Sequence, residues 1–342
     1  MADFFQPESQ RAARPVPLIL DTDMGNDIDD ALALAMIHSL QSAGECDLLG
    51  VVVSKDNPLS APFVDMLNTF YDRPGIPVGA VRNGVTPEEK TFLRPVLEAK
   101  KSDGSFLYPR SLGCNADAPD AVRLLRQLLA AAEDRSVVIV MIGFSTNMAR
   151  LLCTGPDDLS PLDGRELLRQ KGLFVSAMAG RFSDFDTEGR RVSRREYNIL
   201  MDIPSARAFF SQCPLPVIFS GEEIGRAVLY PYESIQSDYG WSVHHPIVQG
   251  YRLFREMPHD RPSWDQTAVL QAVRPGEDYF ALSAPGELVI DDEGASTLRP
   301  CPNGLHRHLI LTPERRERVL EAIVELCSQP PDKLLDPGAK YA

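Results

Sequence analysis

Residues 17–36 read VPLILDTDMGNDIDDALALA. An apolar run ends at Leu20 and gives way to five aspartates, Asp21, Asp23, Asp27, Asp29 and Asp30, packed into ten positions around Gly25. An apolar stretch with helical spacing starts at Ala31. That order predicts a buried strand, a tight turn and the start of a helix. Carboxylates crowded into one turn repel one another as free anions, so a positive charge is expected among them. A hard divalent cation meets that need. Calcium takes about six to eight oxygen ligands whereas magnesium keeps more of its water, so this density of carboxylates points to Ca2+. Aspartate-rich turns also serve as helix caps or solvated loops, and the downstream sequence has to separate these readings.

Composition narrows the function classes. The 342 residues, 44% hydrophobic and 24% charged, suffice for one large core. A formal net charge of −13 argues against nucleic acid or an anionic membrane as partner and favours a small molecule. The first sixteen residues lack the apolar region of a secretion signal, and no later run is apolar for the ~18 residues of a membrane span. A soluble, cytoplasmic protein is expected. The six cysteines form no CxxC pair, so they read as reduced thiols rather than zinc ligands or a disulfide framework.

Apolar β-type runs at 18–21, 48–54, 76–79, 137–142, 173–178 and 217–220 alternate with helical patterns at 30–40, 62–71, 120–132 and 146–153. The alternation predicts a single α/β domain over residues 17–330, an open, mostly parallel sheet with crossover helices and a Rossmann-like core. Residues 1–16 and 331–342 are expected to be tails, the first of them flexible. Residues 81–116, charged and rich in Pro and Gly, read as an excursion with one short helix. Residues 181–196 carry Arg190, Arg191, Arg194 and Arg195 beside Asp184, Asp186 and Glu188. They read either as a solvated loop pairing its own charges or as a lid over a ligand. Further on, helices are expected at 264–272 and 313–327, with β-structure around 287–290 and 306–311. In an open parallel sheet the ligand crevice lies at the carboxyl ends of the strands. Asp21 and Asp23, residues 54–57, residues 142–147 and Gly180 all fall there.

The segment from Asp21 to Ala31 resembles the N-terminal motif of the inosine-uridine nucleoside hydrolase family, DxDxGxDD followed by an apolar helix. Ile142-Gly143-Phe144-Ser145-Thr146-Asn147 resembles that family's second strand-end motif, and Glu196-Tyr197-Asn198 followed by Asp202 its E-F-N segment. Trp264-Asp265 stands where the family places its last metal-binding aspartate. The resemblance implies a nucleoside hydrolase-like fold and calcium-dependent hydrolysis of the N-glycosidic bond of ribonucleosides, in purine or pyrimidine salvage. It also implies a homodimer or homotetramer. By the same resemblance Asp23, Asp30, Asp265 and the carbonyl of Ile142 hold the metal, and Asp23 is also the catalytic base. Asp29 binds a ribose hydroxyl, Glu196 and Asn198 the hydroxymethyl end of the sugar, and Trp264 stacks on a purine.

Three departures leave alternatives open. Two extra residues separate Gly25 from Asp29-Asp30, so Asp27 competes with Asp29 for its role. After the second strand stands Ser54-Lys55-Asp56-Asn57, where Asn57 or Asp56 takes the place of an asparagine near the metal. Trp264 replaces a histidine that aids departure of the base, and no histidine here is assigned that task. Trp264 reads alternatively as a core anchor, and Trp241 as structural or at an oligomer contact. Rival readings are a phosphohydrolase of the haloacid dehalogenase type, a non-catalytic calcium-dependent nucleoside or sugar binder, and a hydrolase of another N-riboside. The first gives Asp29-Asp30 and Trp264-Asp265 no role.

Overall fold

The computed structural model describes residues 14–186 and 188–335; of the two expected tails, residues 1–13 and 336–342 lie outside the described residues. Six strands come first, β1 (Val16–Thr22), β2 (Cys46–Lys55), β3 (Val78–Val85), β4 (Val137–Met141), β5 (Gly172–Met178) and β6 (Val217–Ser220). The later strands are β7 (Leu229–Tyr230), β8 (Arg261–Pro262), β9 (Ala281–Leu282), β10 (Gly286–Ile290), β11 (Ser296–Pro300) and β12 (His306–Ile310). All but β7 and β8 join one ten-stranded sheet in the order β11-β10-β12-β6-β5-β4-β1-β2-β3, with β9 on β12. The first six strands and β12 pair in parallel; β9, β10 and β11 are antiparallel. The fold is thus the expected open α/β sheet.

The central strands are apolar without alternation because helices cover both faces. Every residue of β4, VVIVM, is buried. In β1 the side chains divide by parity: Leu18 and Leu20 join one core cluster and Ile19 the other. Strand β1 pairs with β2 on one side and β4 on the other, so the chain reverses its direction of winding there. A crevice opens at such a switch point, at the carboxyl ends of the strands.

Helix α1 (Asp29–Ser42) leaves that crevice and is buried from Asp29 through Leu40. It packs against the helices Trp264–Val273 and Pro313–Ser328, so its sequence is apolar on all sides rather than on one stripe. The third strand differs from expectation. It starts at Val78, because Pro77 has no N–H to give a ladder, and runs on to Val85, which pairs with Lys55. Helices Ile203–Gln212 and Pro246–Phe254 lie outside the expected set, each with a proline in its first turn. Among the described residues no helix is long and apolar enough to cross a membrane.

The ends of β1, β2 and β4 are locked together by one hydroxyl. Ser54 Oγ donates to the Thr22 carbonyl at 3.1 Å and accepts the Phe144 N–H at 3.0 Å. Gly143 makes the lock possible, since a Cβ there would collide with the Asp23 nitrogen, the Thr22 carbonyl carbon and Ser54 Oγ. Gly143→Ala is therefore expected to cost about 1–3 kcal/mol of stability, read from urea unfolding. An unchanged midpoint would show that the junction yields freely.

Candidate active site

Two helix starts bring the acidic side chains together. Asp29 and Asp30 open α1, and Asp265 sits in the first turn of the helix Trp264–Val273. The positive end of each helix dipole favours negative side chains there. One carboxylate oxygen from each of Asp29, Asp30 and Asp265 lies within 4.8 Å of the others. Thr22 Oγ1 donates to Asp30, which fixes that carboxylate to the end of β1. Asp23 lies beside the group and accepts from Asn26 Nδ2 at 2.8 Å.

These carboxylates are under electrostatic stress. Burial pushes Asp29, Asp30 and Asp265 well above the ordinary carboxylate range, and the neighbouring aspartates push them further. Burial raises Asp23 to about 6, against the hydrogen bond from Asn26 and the charge of Lys55. Asp21, also raised by burial, accepts from Asn147 Nδ2 at 3.0 Å through Oδ1, while its Oδ2 has no partner among the described residues. Buried like charges with so few compensating cations fit an oxygen-ligated divalent ion, and the all-oxygen donor set suits calcium.

The lengthened turn after Gly25 has a clear occupation. Asp27 grips Arg261 of β8, accepting from Nε at 2.9 Å and from Nη2. Asn26 Oδ1 accepts from Lys55 Nζ at 2.7 Å. Each of these two turn residues thus holds a cation next to the aspartates. Lys55, wholly buried at the end of β2, also donates to the Thr86 carbonyl at 2.7 Å. It is Asp29, not Asp27, that joins Asp30 and Asp265.

Most residues expected from sequence line one cavity of about 600 Å³: Asp23, Asp29, Asp30, Ile142, Glu196, Asn198, Trp264 and Asp265. Its size suits a nucleoside-sized ligand. Asp27 lines it too, already paired with Arg261. Asn57 and Asp56 are outside the lining. Asn57 accepts the Leu59 N–H at 3.0 Å and donates to the Pro87 carbonyl at 2.9 Å, while Asp56 accepts the Gly84 N–H at 3.0 Å. Both brace the turn after β2, and the buried Lys55 takes the place beside Asn26.

Asn198 Nδ2 donates to the carbonyls of Ile142 at 3.0 Å and Met178 at 3.1 Å. Glu196 caps the helix Tyr197–Met201, accepting the N–H groups of Asn198 at 2.6 Å, Ile199 at 3.1 Å and Gly180 at 3.1 Å. Burial lifts its carboxyl to about 7 against those three donors. Trp264 is half-buried, and its indole N–H donates to the Glu222 carbonyl at 2.9 Å. The Arg261 guanidinium lies 4.9 Å from its ring centre and that of Arg226 5.7 Å. No histidine lines the cavity. Trp241 is elsewhere, donating to the Ser328 carbonyl at 2.8 Å among Phe70, Tyr71 and His245.

Sequence reasoning passed over Lys55, Arg261, Arg181, Arg226 and Glu222. The unusual turn after Gly25 was the available signal for the first two, because inserted polar residues in a buried turn need partners. The segment 181–196 pairs its own charges as its first reading expects, Arg190 with Asp186 and Arg194 with Asp184, yet its ends place Arg181 and Arg195 in the cavity lining.

The fold and site have counterparts among known proteins. The family described as inosine-uridine preferring nucleoside hydrolase matches residues 18–326. A curated relative, the inosine-uridine preferring nucleoside hydrolase of Crithidia fasciculata, is 26% identical over 203 residues, and the match spans 58% of each chain. Among solved structures, the purine-preferring ribonucleoside hydrolase of Gardnerella vaginalis superposes with a TM-score of 0.68 at 17% identity, covering 91% of this chain and 99% of the other. A plant nucleoside hydrolase gives a TM-score of 0.66 at 19% identity, covering 92% of this chain and 100% of that one. At such identities the two structures speak for the fold, and the match over residues 18–326 speaks for descent: this chain belongs to the inosine-uridine preferring nucleoside hydrolase family.

Proposed function

We propose that the protein hydrolyses the N-glycosidic bond of ribonucleosides, with a leaning to purines, in a calcium-dependent reaction that yields ribose and free base. The observation that carries this reading is the placement of Asp29, Asp30 and Asp265 together in a cavity that Asn198 and Trp264 also line. Cleavage of such a bond passes through an oxocarbenium-like transition state. It needs a water stripped of a proton, a sugar held rigidly and relief for the charge on the departing base.

In this reading Asp30, Asp265, Asp23 and the Ile142 carbonyl hold the ion, and Asp29, within the same group of carboxylates, accepts from a ribose hydroxyl. A bound calcium ion supplies the positive charge that makes a nearby water more acidic and orients vicinal hydroxyls. Asp23, which lines the same cavity, takes the proton from the attacking water. Glu196 and Asn198 receive the hydroxymethyl end of the sugar. The Trp264 indole stacks on the base, where a purine offers the larger face. Arg261 takes over at the leaving group: Nε and Nη2 are committed to Asp27, whereas Nη1 has no partner among the described residues and the side chain lines the cavity. A fixed guanidinium there stabilises negative charge that develops on the base without transferring a proton.

Three outcomes test the assignment. Calcium at about 100 times its Kd should raise stability by about 2.7 kcal/mol, seen as a higher Tm, and Asp265→Asn should abolish that shift with the fold retained by circular dichroism. Asp23→Ala should lower ribose release by roughly 10²–10⁴-fold. Calcium-dependent ligand binding by the wild type with no ribose released from any riboside would instead assign a non-catalytic binder. Arg261→Met should slow inosine by about 10²–10³-fold yet leave p-nitrophenyl riboside, whose leaving group needs no assistance, much less affected. Equal losses on both substrates would remove Arg261 from leaving-group stabilisation.

A further inference from the structure

The wall beside Glu196 carries cations that an uncharged nucleoside does not use. Arg181 follows Gly180, whose N–H reaches Glu196 at 3.1 Å, and Arg195 immediately precedes Glu196. Ser296 fastens the two flanks, accepting the Arg181 N–H at 2.9 Å and lying 3.3 Å from the Arg194 carbonyl. Both arginines are among the residues that line the cavity. Arg181 is only 6% exposed; it pairs with Glu222 through Nη1, and its Nη2 has no hydrogen-bond partner among the described residues. Glu222 is shared with Arg226, so one carboxylate serves two guanidinium groups. Arg195 spends Nε on the Glu293 carbonyl at 2.8 Å, and its terminal nitrogens have no carboxylate partner among the described residues.

The nearby acids do not use up this charge. Glu196 is engaged by three main-chain N–H groups, which disperse its negative charge, and Glu223 lies behind the wall against the Phe182 N–H. In a chain with net charge −13, Arg181, Arg195 and Arg226 bring positive charge into the lining of an otherwise acidic cavity. Guanidinium groups with uncommitted N–H donors match an anion bearing several oxygens, and phosphate satisfies more donors than a carboxylate.

We propose that Arg181 and Arg195, backed by Arg226, form a phosphate subsite, and that the preferred substrate is a ribonucleoside 5′-monophosphate. The proposal rests on the N-ribohydrolase reading for the direction of the sugar, with the 5′ carbon at Glu196 and Asn198. The phosphate projects past Glu196 onto the two arginines. Water adds across the C1′–N bond, its hydroxyl to C1′ and its proton to the base; the phosphate ester stays intact, and the products are free base and ribose 5-phosphate.

The test compares inosine with inosine 5′-monophosphate on the calcium-loaded full chain, following hypoxanthine release. The expected kcat/KM favours the monophosphate by at least about tenfold, and Arg195→Met, an exposed position, lowers that ratio about tenfold. Arg181→Lys, which keeps the charge but loses the fork, lowers it too. A ratio at or below unity in the wild type, or a ratio unmoved by Arg195→Met, overturns the subsite while leaving inosine hydrolysis intact. A binding arm decides the matter if neither compound is cleaved, a result that would sink the hydrolase reading by itself. Ribose 5-phosphate should raise the Tm at concentrations where ribose and inorganic phosphate do not, and Arg195→Met should remove that rise; equal shifts from all three overturn the proposal.

Discussion

Mutual repulsion among buried carboxylates is the constraint around which the crevice is built. Asp23, Asp29, Asp30 and Asp265 are each buried, and each is pushed above the carboxylate range by lost solvation and by like charge nearby. The scaffold answers with two helix starts, the Thr22 hydroxyl on Asp30, and two cations recruited by the lengthened turn. Lys55 and Arg261 temper the cluster without joining it. The balance left over is what a divalent ion is suited to supply.

The same arrangement separates the cavity into regions of different chemistry. Its lining combines the carboxylates of Asp23, Asp29, Asp30 and Asp265, the Trp264 ring beside the Arg261 guanidinium, and Arg181 and Arg195 with Glu196. An N-riboside has a matching division. In the proposed reading its vicinal diol goes to the carboxylates, its base to Trp264 and its 5′ carbon towards Arg181 and Arg195.

The central strands and the aspartate turn were legible in the sequence because both are local signals: unbroken apolar runs for strands covered on both faces, and carboxylates set by the geometry of one strand-to-helix junction. Asp265 and Asn198 were reachable through their motifs, which keep fixed spacing to nearby secondary structure. Long-range pairings were not. The bond between Asp27 and Arg261 joins residues 234 positions apart, and that between Asn26 and Lys55 depends on β2 lying beside β1. Asn57 shows the converse. Its position after a strand end looked suitable, yet satisfying the Leu59 N–H and the Pro87 carbonyl turned it into a brace for the turn. The third strand begins at Val78 rather than Ile76, since Pro77 has no N–H to donate to the ladder.

If the stressed aspartates are the seat of N-riboside hydrolysis, catalysis and the ion must rise and fall together. The direct measurement is ribose release from a purine riboside by the purified chain, stripped with a chelator and then titrated with calcium. The account predicts that activity vanishes on stripping and returns with calcium while the fold, followed by circular dichroism, persists throughout. Undiminished release from the stripped protein would contradict it.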